Sequence, residues 1–214
     1  MKLYSYWRSS CSWRVRIGLH WKGQRYEYVA IHLLRDGGEQ KADPYTALNA
    51  MQSVPLLEVE DGGQVRRLAQ SMAILEYLDE RWPDPPLLPA DRFIRAQVRQ
   101  AAEIVNSGIQ PYQNSSVQRY VKHELHGDEK AWTRRFLAHG LTALEVLLRT
   151  TSGKYAVGDQ VTLADLYLVP QLYGARRVEL NLSPFPTLTR VEAACNALPA
   201  FQAAHPDRQP DAER

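Results

Sequence analysis

Three consecutive side chains with hydroxyl and thiol groups, Ser9-Ser10-Cys11, are the residues of this sequence best suited to chemistry. Residues 3–7 before them are apolar and aromatic, which predicts a strand. Residues 11–19 after them show helical periodicity, so the serines lie where a strand passes into a helix. Unpaired N–H groups and the positive end of the helix dipole meet at such a point. A hydroxyl there can hydrogen-bond an anion, including the thiolate of a bound cofactor, or it can simply cap the helix.

Cys11 has two interpretations. Its thiol could be a nucleophile that forms a mixed disulfide with a thiol cofactor, or it could begin the apolar face of the helix, from which Arg14 and Arg16 are predicted to point away. The other cysteine, Cys195, is far along the chain, so there is no Cys-x-x-Cys pair and no disulfide framework. A dithiol cycle is therefore excluded, and we expect a supporting role for Cys11.

Composition excludes several other classes of function. A chain of 214 residues can bury a good core as one domain or two small ones. Its net charge of +2 is too small to indicate a nucleic-acid or membrane-surface partner. No apolar run approaches the roughly 20 residues that span a bilayer, and the N-terminus lacks the apolar core of a signal peptide. We therefore expect a cytoplasmic protein without nucleic-acid or membrane partners. The histidines show no metal-ligand spacing, so we expect no metal either.

The first eighty or so residues predict a small mixed sheet with flanking helices. Residues 25–31 form a second predicted strand, and a strand–helix–strand run favours two parallel strands. A hairpin is predicted from residues 54–60 and 64–68 around a glycine turn. Gln70-Ser71 then opens a helix, which the proline-rich segment 82–86 ends.

Beyond the prolines the periodicity is helical throughout. The predicted helices are 92–105, 115–126, 129–148, 163–173 and 188–198. The chain therefore reads as an α/β domain over 1–81, a proline-rich linker over 82–90 and an all-α domain over 91–214. Thr162 and Asp165 have the spacing of a capping box, so we expect Asp165 to stabilise a helix start and not to act as a catalytic acid.

The segment 3–17 closely resembles the signature of zeta-class glutathione transferases. Further segments similar to this family follow in order along nearly the whole chain: 54–55, 70–71, 106–117, 157–165 and 205–211. The resemblance implies an N-terminal thioredoxin-like domain, a C-terminal helical domain, a homodimer and glutathione as cofactor. For the zeta class it also implies maleylacetoacetate isomerase activity, which yields fumarylacetoacetate in tyrosine and phenylalanine breakdown.

The implied isomerisation needs a thiolate, which the hydroxyl groups of Ser9 and Ser10 could stabilise by hydrogen bonding. Reversible addition of a thiolate to a conjugated double bond leaves a single bond that can rotate before elimination restores the alkene. The protein must lower the pKa of the glutathione thiol, which a helix N-terminus with hydroxyl donors can do. By the resemblance, Ser9 is the first candidate for the thiol hydrogen bond, Ser10 the second and Cys11 the third, and all three are expected to contact glutathione.

The resemblance also implies how the rest of glutathione is held. The N–H and C=O of Val54 are expected to pair with the glutathione backbone, beside a cis bond to Pro55. A proline that merely starts a strand is the alternative, which the family pattern makes the weaker one. Gln70 and Ser71 resemble the clamp for the glutamyl carboxylate, with Ser71 at a helix N-terminus. The remaining implied contacts, which alone would pass for surface residues, are Gln40, Gln110, Asn114, Ser115 and Ser116.

Because the implied substrate is a dicarboxylate, cationic side chains are expected to receive it. Arg8, beside the serines, is the strongest candidate. Arg177 matches a substrate-site arginine of the family. Without the resemblance it would be interpreted as a solvent-facing side chain, because paired arginines on helices usually face water.

Related activities are alternatives. Bacterial maleylpyruvate isomerases share the overall pattern but tend to carry a histidine at the position of Gln110, an arginine at Ser116 and no cysteine at Cys11. These differences favour maleylacetoacetate. A general glutathione transferase or an α-haloacid dehalogenase could use the same site. A non-catalytic glutathione-binding protein is less favoured, because three motifs implied to contact glutathione are intact: Ser9-Ser10-Cys11, Val54-Pro55 and Gln70-Ser71.

Overall fold

The computed structural model describes residues 1–213. It divides into two compact units, each of which is described by itself. The first unit contains Met1–Pro86 together with the C-terminal residues from Pro199 onward, and the second contains Leu87–Leu198.

The first unit is built on a four-stranded mixed sheet. Its strands are β1 (Lys2–Ser5), β2 (Glu27–Ala30), β3 (Leu56–Asp61) and β4 (Gln64–Ala69), in the order β2-β1-β3-β4. β1 pairs parallel with β2 and antiparallel with β3, while β3 and β4 form the predicted antiparallel hairpin. Gly62 and Gly63 make its turn with φ of 60° and 74°, a left-handed pair that glycine adopts without strain. The α/β architecture predicted from the sequence is confirmed.

Helices complete this unit. They are α1 (Ser10–Trp21), α2 (Asp43–Thr46) and α3 (Ser71–Arg81). Inside α1, every residue from Ser12 to Leu19 is buried, and that includes Arg14 and Arg16, which are fully buried. The expectation that these two arginines point away from the buried face is wrong, because α1 is covered on nearly all sides.

The C-terminal residues pack on the first unit. Asp211 accepts hydrogen bonds from the Trp7 N–H at 3.0 Å and from the Tyr28 hydroxyl at 2.7 Å, and Arg16 Nε donates to the Ala204 carbonyl at 3.2 Å. The predicted division placed residues 199–214 in the helical domain. The structure instead groups residues 199–213 with the sheet, because Trp7 and Arg16 of the first unit form hydrogen bonds with this segment.

The second unit is helical. Its helices are α4 (Arg92–Asn106), α5 (Gln110–Gln113), α6 (Ser115–His123), α7 (Glu129–Thr151), α8 (Leu163–Arg177) and α9 (Pro186–Asn196), and a further short helix, α10 (Pro199–Ala203), begins the returning segment of the first unit. The five long helices predicted here are present with small changes in their ends. The two short ones, α5 and α10, were not predicted, because four or five residues carry too little periodicity.

The predicted capping box starts α8. Asp165 Oδ2 accepts from the Thr162 N–H at 2.8 Å, and Asp165 Oδ1 accepts from the Ala156 N–H at 2.8 Å. Asp165 therefore stabilises the helix start, as expected, and also ties the preceding loop to it. Within the part of the chain that the structure describes, no helix is both long and apolar enough to cross a membrane.

Candidate functional site

Ser9 is the N-cap of α1. Its Oγ accepts a hydrogen bond from the Ser12 N–H at 3.2 Å, and its carbonyl accepts the first helical bond from Trp13 at 2.9 Å. The Ser9 backbone is extended, as a cap requires. A hydroxyl has one hydrogen to donate besides its acceptor lone pairs. Capping therefore uses the Ser9 oxygen as acceptor and leaves its hydrogen for an anion, so the two interpretations of this serine are compatible.

Ser10 and Cys11 occupy the first turn of α1, and both are half-buried. The Cys11 sulfur lies 3.7 Å from Nη1 of Arg14 one turn further along the helix. The second cysteine, Cys195, lies buried in the other unit, where its thiol contacts Asp165 at 3.6 Å. Burial raises the pKa of the Cys195 thiol, so this group is held protonated and is structural.

Gln70 and Ser71 stand at the start of α3. Gln70 is the N-cap residue, with φ of 71° and ψ of 116°, a left-handed backbone that is unusual for a side chain of this size. Such an outlier persists only where its surroundings hold it, and outliers of this kind collect at binding sites. Ser71, the first helical residue, is buried, and its Oγ lies 3.4 Å from Arg14 Nη1. Arg14, in the second turn of α1, thereby contacts the first turn of α3.

The loop before β3 presents backbone groups. The Val54–Pro55 peptide bond is cis, as the resemblance implied. Among residues 1–213, no hydrogen bond occupies the N–H or C=O of Val54. Gln40 lies in a 3-10 turn and is almost completely buried, with its amide packed over Gly38. Its Oε1 has no hydrogen-bond partner in the described part of the chain. A buried amide oxygen of this kind calls for a donor.

Arg8 lies one residue before the cap of α1. Its guanidinium stands over the Trp7 ring at 5.4 Å from the centroid, and its side chain is half-buried. The neighbouring Tyr6 is buried, and burial raises the pKa of its hydroxyl although the charge of Arg8 opposes the shift. The end of β1 is therefore followed by a cationic side chain, Arg8, that packs beside the aromatic rings of Tyr6 and Trp7.

The second unit holds the other predicted polar residues. The Gln110 amide donates to Asn114 Oδ1 at 2.9 Å and accepts from Gln113 Nε2 at 3.1 Å. Gln113 and the fully buried Gln171 exchange hydrogen bonds of 2.9 and 3.0 Å. The predicted residues Gln110 and Asn114 are thus brought together, at the outer end of an amide chain. Ser115 and Ser116 are exposed in the first turn of α6, and Asn114 is the residue before them.

The paired arginines at the end of α8 differ from each other. Arg176 forms an ion pair with Glu192 of α9, and this contact raises the pKa of its guanidinium. Arg177 is exposed in the same last turn. Arg176 therefore holds the end of α8 to α9, and the expectation that Arg177 receives substrate remains a prediction.

Sequence reasoning missed three residues that organise these groups. Arg14 was expected to point away from the buried face, and Gln113 and Gln171 were not singled out. Two arginines, Arg14 and Arg16, interrupt the otherwise apolar stretch Trp13–Leu19, and this was a signal for Arg14, since a buried guanidinium needs partners. Nothing in the sequence marks Gln171 as the buried partner of Gln113.

Comparison with known proteins agrees with this arrangement. Residues 8–81 match the family model of the glutathione S-transferase N-terminal domain, and residues 119–199 match that of the glutathione S-transferase C-terminal domain. The maleylacetoacetate isomerase of Rattus norvegicus is 49% identical over 209 residues, which cover 98% of this chain and 94% of that protein.

Solved structures give the same result. The maleylacetoacetate isomerase of Anaeromyxobacter dehalogenans, with dicarboxyethyl glutathione and citrate bound in the active site, is 53% identical with a TM-score of 0.91, covering 100% of this chain and 97% of that one. A bacterial maleylpyruvate isomerase described as a zeta-class glutathione S-transferase is 44% identical with a TM-score of 0.94, and each chain is covered completely, at 100%. The chain therefore belongs to the glutathione S-transferase family and, within it, to the zeta class.

Proposed function

We propose that this protein is a glutathione-dependent cis–trans isomerase that converts maleylacetoacetate into fumarylacetoacetate. The observation that carries the proposal is the geometry of Ser9, whose oxygen caps α1 while its hydrogen remains available to an anion at the same helix N-terminus. This is the arrangement that a catalytic thiolate needs.

The polar groups of the first unit suit glutathione. A peptide-like ligand needs a backbone donor and acceptor in one place, and the Val54 N–H and C=O provide both. Its glutamyl carboxylate needs a donor at a helix N-terminus, as Ser71 offers at the start of α3. The unsatisfied Oε1 of Gln40 is a buried acceptor, which a ligand N–H would satisfy.

When bound, glutathione would supply a thiolate for reversible addition to the cis double bond, in which the π electron pair passes to the conjugated carbonyl group and returns when the thiolate is eliminated. Rotation about the bond would be possible in between. The protein stabilises the negative sulfur before addition and after elimination. Ser9 and Ser10 donate hydrogen bonds toward it, and the N-terminus of α1 adds its partial positive charge. Cys11 lies in the same turn and supports the site, without a second thiol for redox chemistry.

The two carboxylates of the substrate require cationic partners. Arg8, fixed against the Trp7 ring, is our first candidate in the first unit. Arg177 is our candidate in the second unit. Gln110, Asn114, Ser115 and Ser116 are proposed as further polar contacts for glutathione, and Gln110 is oriented by its hydrogen bonds to Asn114 and Gln113.

Isomerisation of maleylpyruvate is a second candidate, which the TM-score of 0.94 to a maleylpyruvate isomerase supports. Isomerisation of maleylpyruvate uses the same reversible addition of a thiolate, on a substrate with a different acyl group. The glutamine at position 110, the serine at 116 and the cysteine at 11 favour maleylacetoacetate.

The deciding experiment is an ultraviolet time course of maleylacetone isomerisation, with and without glutathione, next to the same assay with maleylpyruvate. We expect fast and strictly glutathione-dependent turnover of maleylacetone, with slower turnover of maleylpyruvate. Faster turnover of maleylpyruvate would establish the second candidate. Absence of turnover with both, in a protein that binds glutathione, would reject isomerisation and move the search to α-haloacids.

We infer further that the enzyme works in the cytoplasm as a homodimer, as zeta-class resemblance implies. Phe93 and Ile94, in the first turn of α4, are 73% and 41% exposed, and an exposed apolar pair of this kind suits an interface between copies. Light scattering at several concentrations tests the assembly. Phe93→Asp should shift the protein toward monomer, whereas a monomeric wild-type protein would reject the inference.

A further inference from the structure

Two arginines of α1 are fully buried but are bound in different ways. Arg16 donates to the Ser5 hydroxyl at 3.2 Å and to the backbone carbonyls of Tyr6 at 3.3 Å, Trp7 at 2.8 Å and Ala204 at 3.2 Å. These contacts fasten the end of β1 and the returning C-terminal segment, so Arg16 serves the fold. Arg14 contacts side chains at the two helix starts described above.

A single nitrogen of Arg14 makes both contacts. Nη1 lies 3.7 Å from Cys11 Sγ in the first turn of α1 and 3.4 Å from Ser71 Oγ in the first turn of α3. This nitrogen carries two hydrogens, one for each neighbour. Arg14 therefore links the helix start proposed to hold the glutathione thiol with the helix start proposed to hold its glutamyl carboxylate.

We propose that Arg14 is a positioning residue that sets the spacing and the hydroxyl orientation of these two anchor points for glutathione, an inference that rests on the proposed function. A guanidinium only donates, so the Ser71 oxygen is the acceptor in this contact and its own hydrogen is directed away from Arg14. The same holds for the sulfur of Cys11. The planar guanidinium fixes both N–H directions, whereas the three N–H donors of a lysine ammonium rotate on a flexible side chain and would not fix them.

The test compares Arg14→Lys with Arg16→Lys, a change of the same kind two residues along the same buried helix. Glutathione affinity is measured by calorimetry on the folded protein, and unfolding by urea is measured in parallel. We expect Arg14→Lys to weaken glutathione binding about tenfold or more, since one charged hydrogen bond is removed from the site. Arg16→Lys should lower stability and leave glutathione affinity within about threefold.

A merely structural Arg14 would give a different result. Arg14→Lys would then lose stability as Arg16→Lys does, and its folded fraction would bind glutathione normally, which would overturn the proposal. The pKa of the bound glutathione thiol, followed by thiolate absorbance, is a second measure. It should rise in Arg14→Lys and stay unchanged in Arg16→Lys.

A double-mutant cycle tests whether Arg14 acts through Ser71. If it does, Arg14→Lys and Ser71→Ala together should weaken binding by much less than the product of their separate effects, whereas Arg16→Lys and Ser71→Ala should combine multiplicatively. Independent effects of Arg14→Lys and Ser71→Ala would overturn the proposal.

A second cycle covers the case in which Arg14→Lys does not fold. Cys11→Ala and Ser71→Ala keep the arginine, and because one nitrogen serves both acceptors, their effects on glutathione affinity should be coupled by more than about twofold. Uncoupled effects would overturn the inference. Wild-type protein that binds no glutathione would instead reject the proposed function itself, which separates the two failures.

Discussion

Ser9 Oγ accepts a hydrogen bond from the Ser12 N–H at 3.2 Å, so the residue proposed to stabilise the thiolate also caps the helix whose dipole assists it. One contact therefore has two consequences. It stabilises α1, and it turns the hydroxyl oxygen toward the helix so that the hydrogen is left for an anion.

The first prediction separates these consequences. Ser9→Ala removes both the cap and the donor, and we expect about a 100-fold loss of isomerisation together with about 1 kcal/mol of stability. Ser9→Asp keeps an acceptor for the Ser12 N–H but has no hydrogen to donate and repels a thiolate. It should retain stability and lose turnover. Steady-state kinetics and urea unfolding of both variants check this, and an active Ser9→Asp protein would contradict the donor role.

Cys11→Ala is the companion variant, and we expect it to retain most of the isomerisation. The thiol begins the buried side of α1 and contacts Arg14, and the other cysteine, Cys195, is buried against Asp165, so its thiol does not serve a redox cycle. Kinetics of Cys11→Ala beside Ser9→Ala decide the matter. The reverse ranking, with Ser9→Ala active and Cys11→Ala inactive, would reassign the thiolate contact to the cysteine.

The second prediction concerns the arginine pair of α8. If Arg177 receives a substrate carboxylate, Arg177→Gln should raise KM for maleylacetone about tenfold or more, because a charge-assisted hydrogen bond is lost. Arg176→Gln is the matched control, since its guanidinium is engaged by Glu192. That variant should keep KM near the wild-type value. Equal effects of the two substitutions would assign Arg177 to the helix end and not to substrate.

Local patterns were sufficient to predict much of this fold. The hairpin β3–β4 follows from alternating strand residues around Gly62 and Gly63, and the helix start at Ser71 follows from its position before an apolar stripe. The capping box at Thr162 and Asp165 is also a local signal. Each of these depends on residues within a few positions of one another, which a single sequence displays.

The missed features depend on distant partners. Arg14 is buried against Ser71, which lies 57 positions away, and Arg16 against Ala204, which lies 188 positions away. The C-terminal segment returns to the first unit through Asp211 and Trp7, which are 204 positions apart. Periodicity reports which face of a helix is apolar, but it does not report whether another segment covers the polar face.

The third prediction is that Asp165→Ala destabilises the protein by roughly 3 kcal/mol without a specific effect on catalysis. The substitution leaves two buried backbone donors, the N–H groups of Ala156 and Thr162, without their acceptor. Urea unfolding measures the loss, and turnover per folded molecule should match wild type. A fully stable Asp165→Ala protein without activity would show that this carboxylate acts in the chemistry.

The fourth prediction concerns the pH dependence of stability at the same carboxylate. Burial raises the pKa of Asp165 to about 6, although hydrogen bonds from Thr162 and Ala156 oppose the shift. In the unfolded chain the pKa of this carboxyl group is about 3.9, the usual value for aspartate. Between these two values the folded protein binds more protons than the unfolded one, so the stability that this group contributes is complete at low pH and is lost as the pH rises through about 6.

Asp165→Asn removes the titration and keeps one acceptor oxygen, so the other acid-sensitive groups cancel in the comparison. As the pH is lowered from about 7 to about 4, the unfolding free energy of wild type should rise relative to that of Asp165→Asn. Urea unfolding of both proteins across this range measures the difference. A difference that shrinks on acidification would mean that the backbone donors outweigh burial and hold the pKa of Asp165 below its ordinary value.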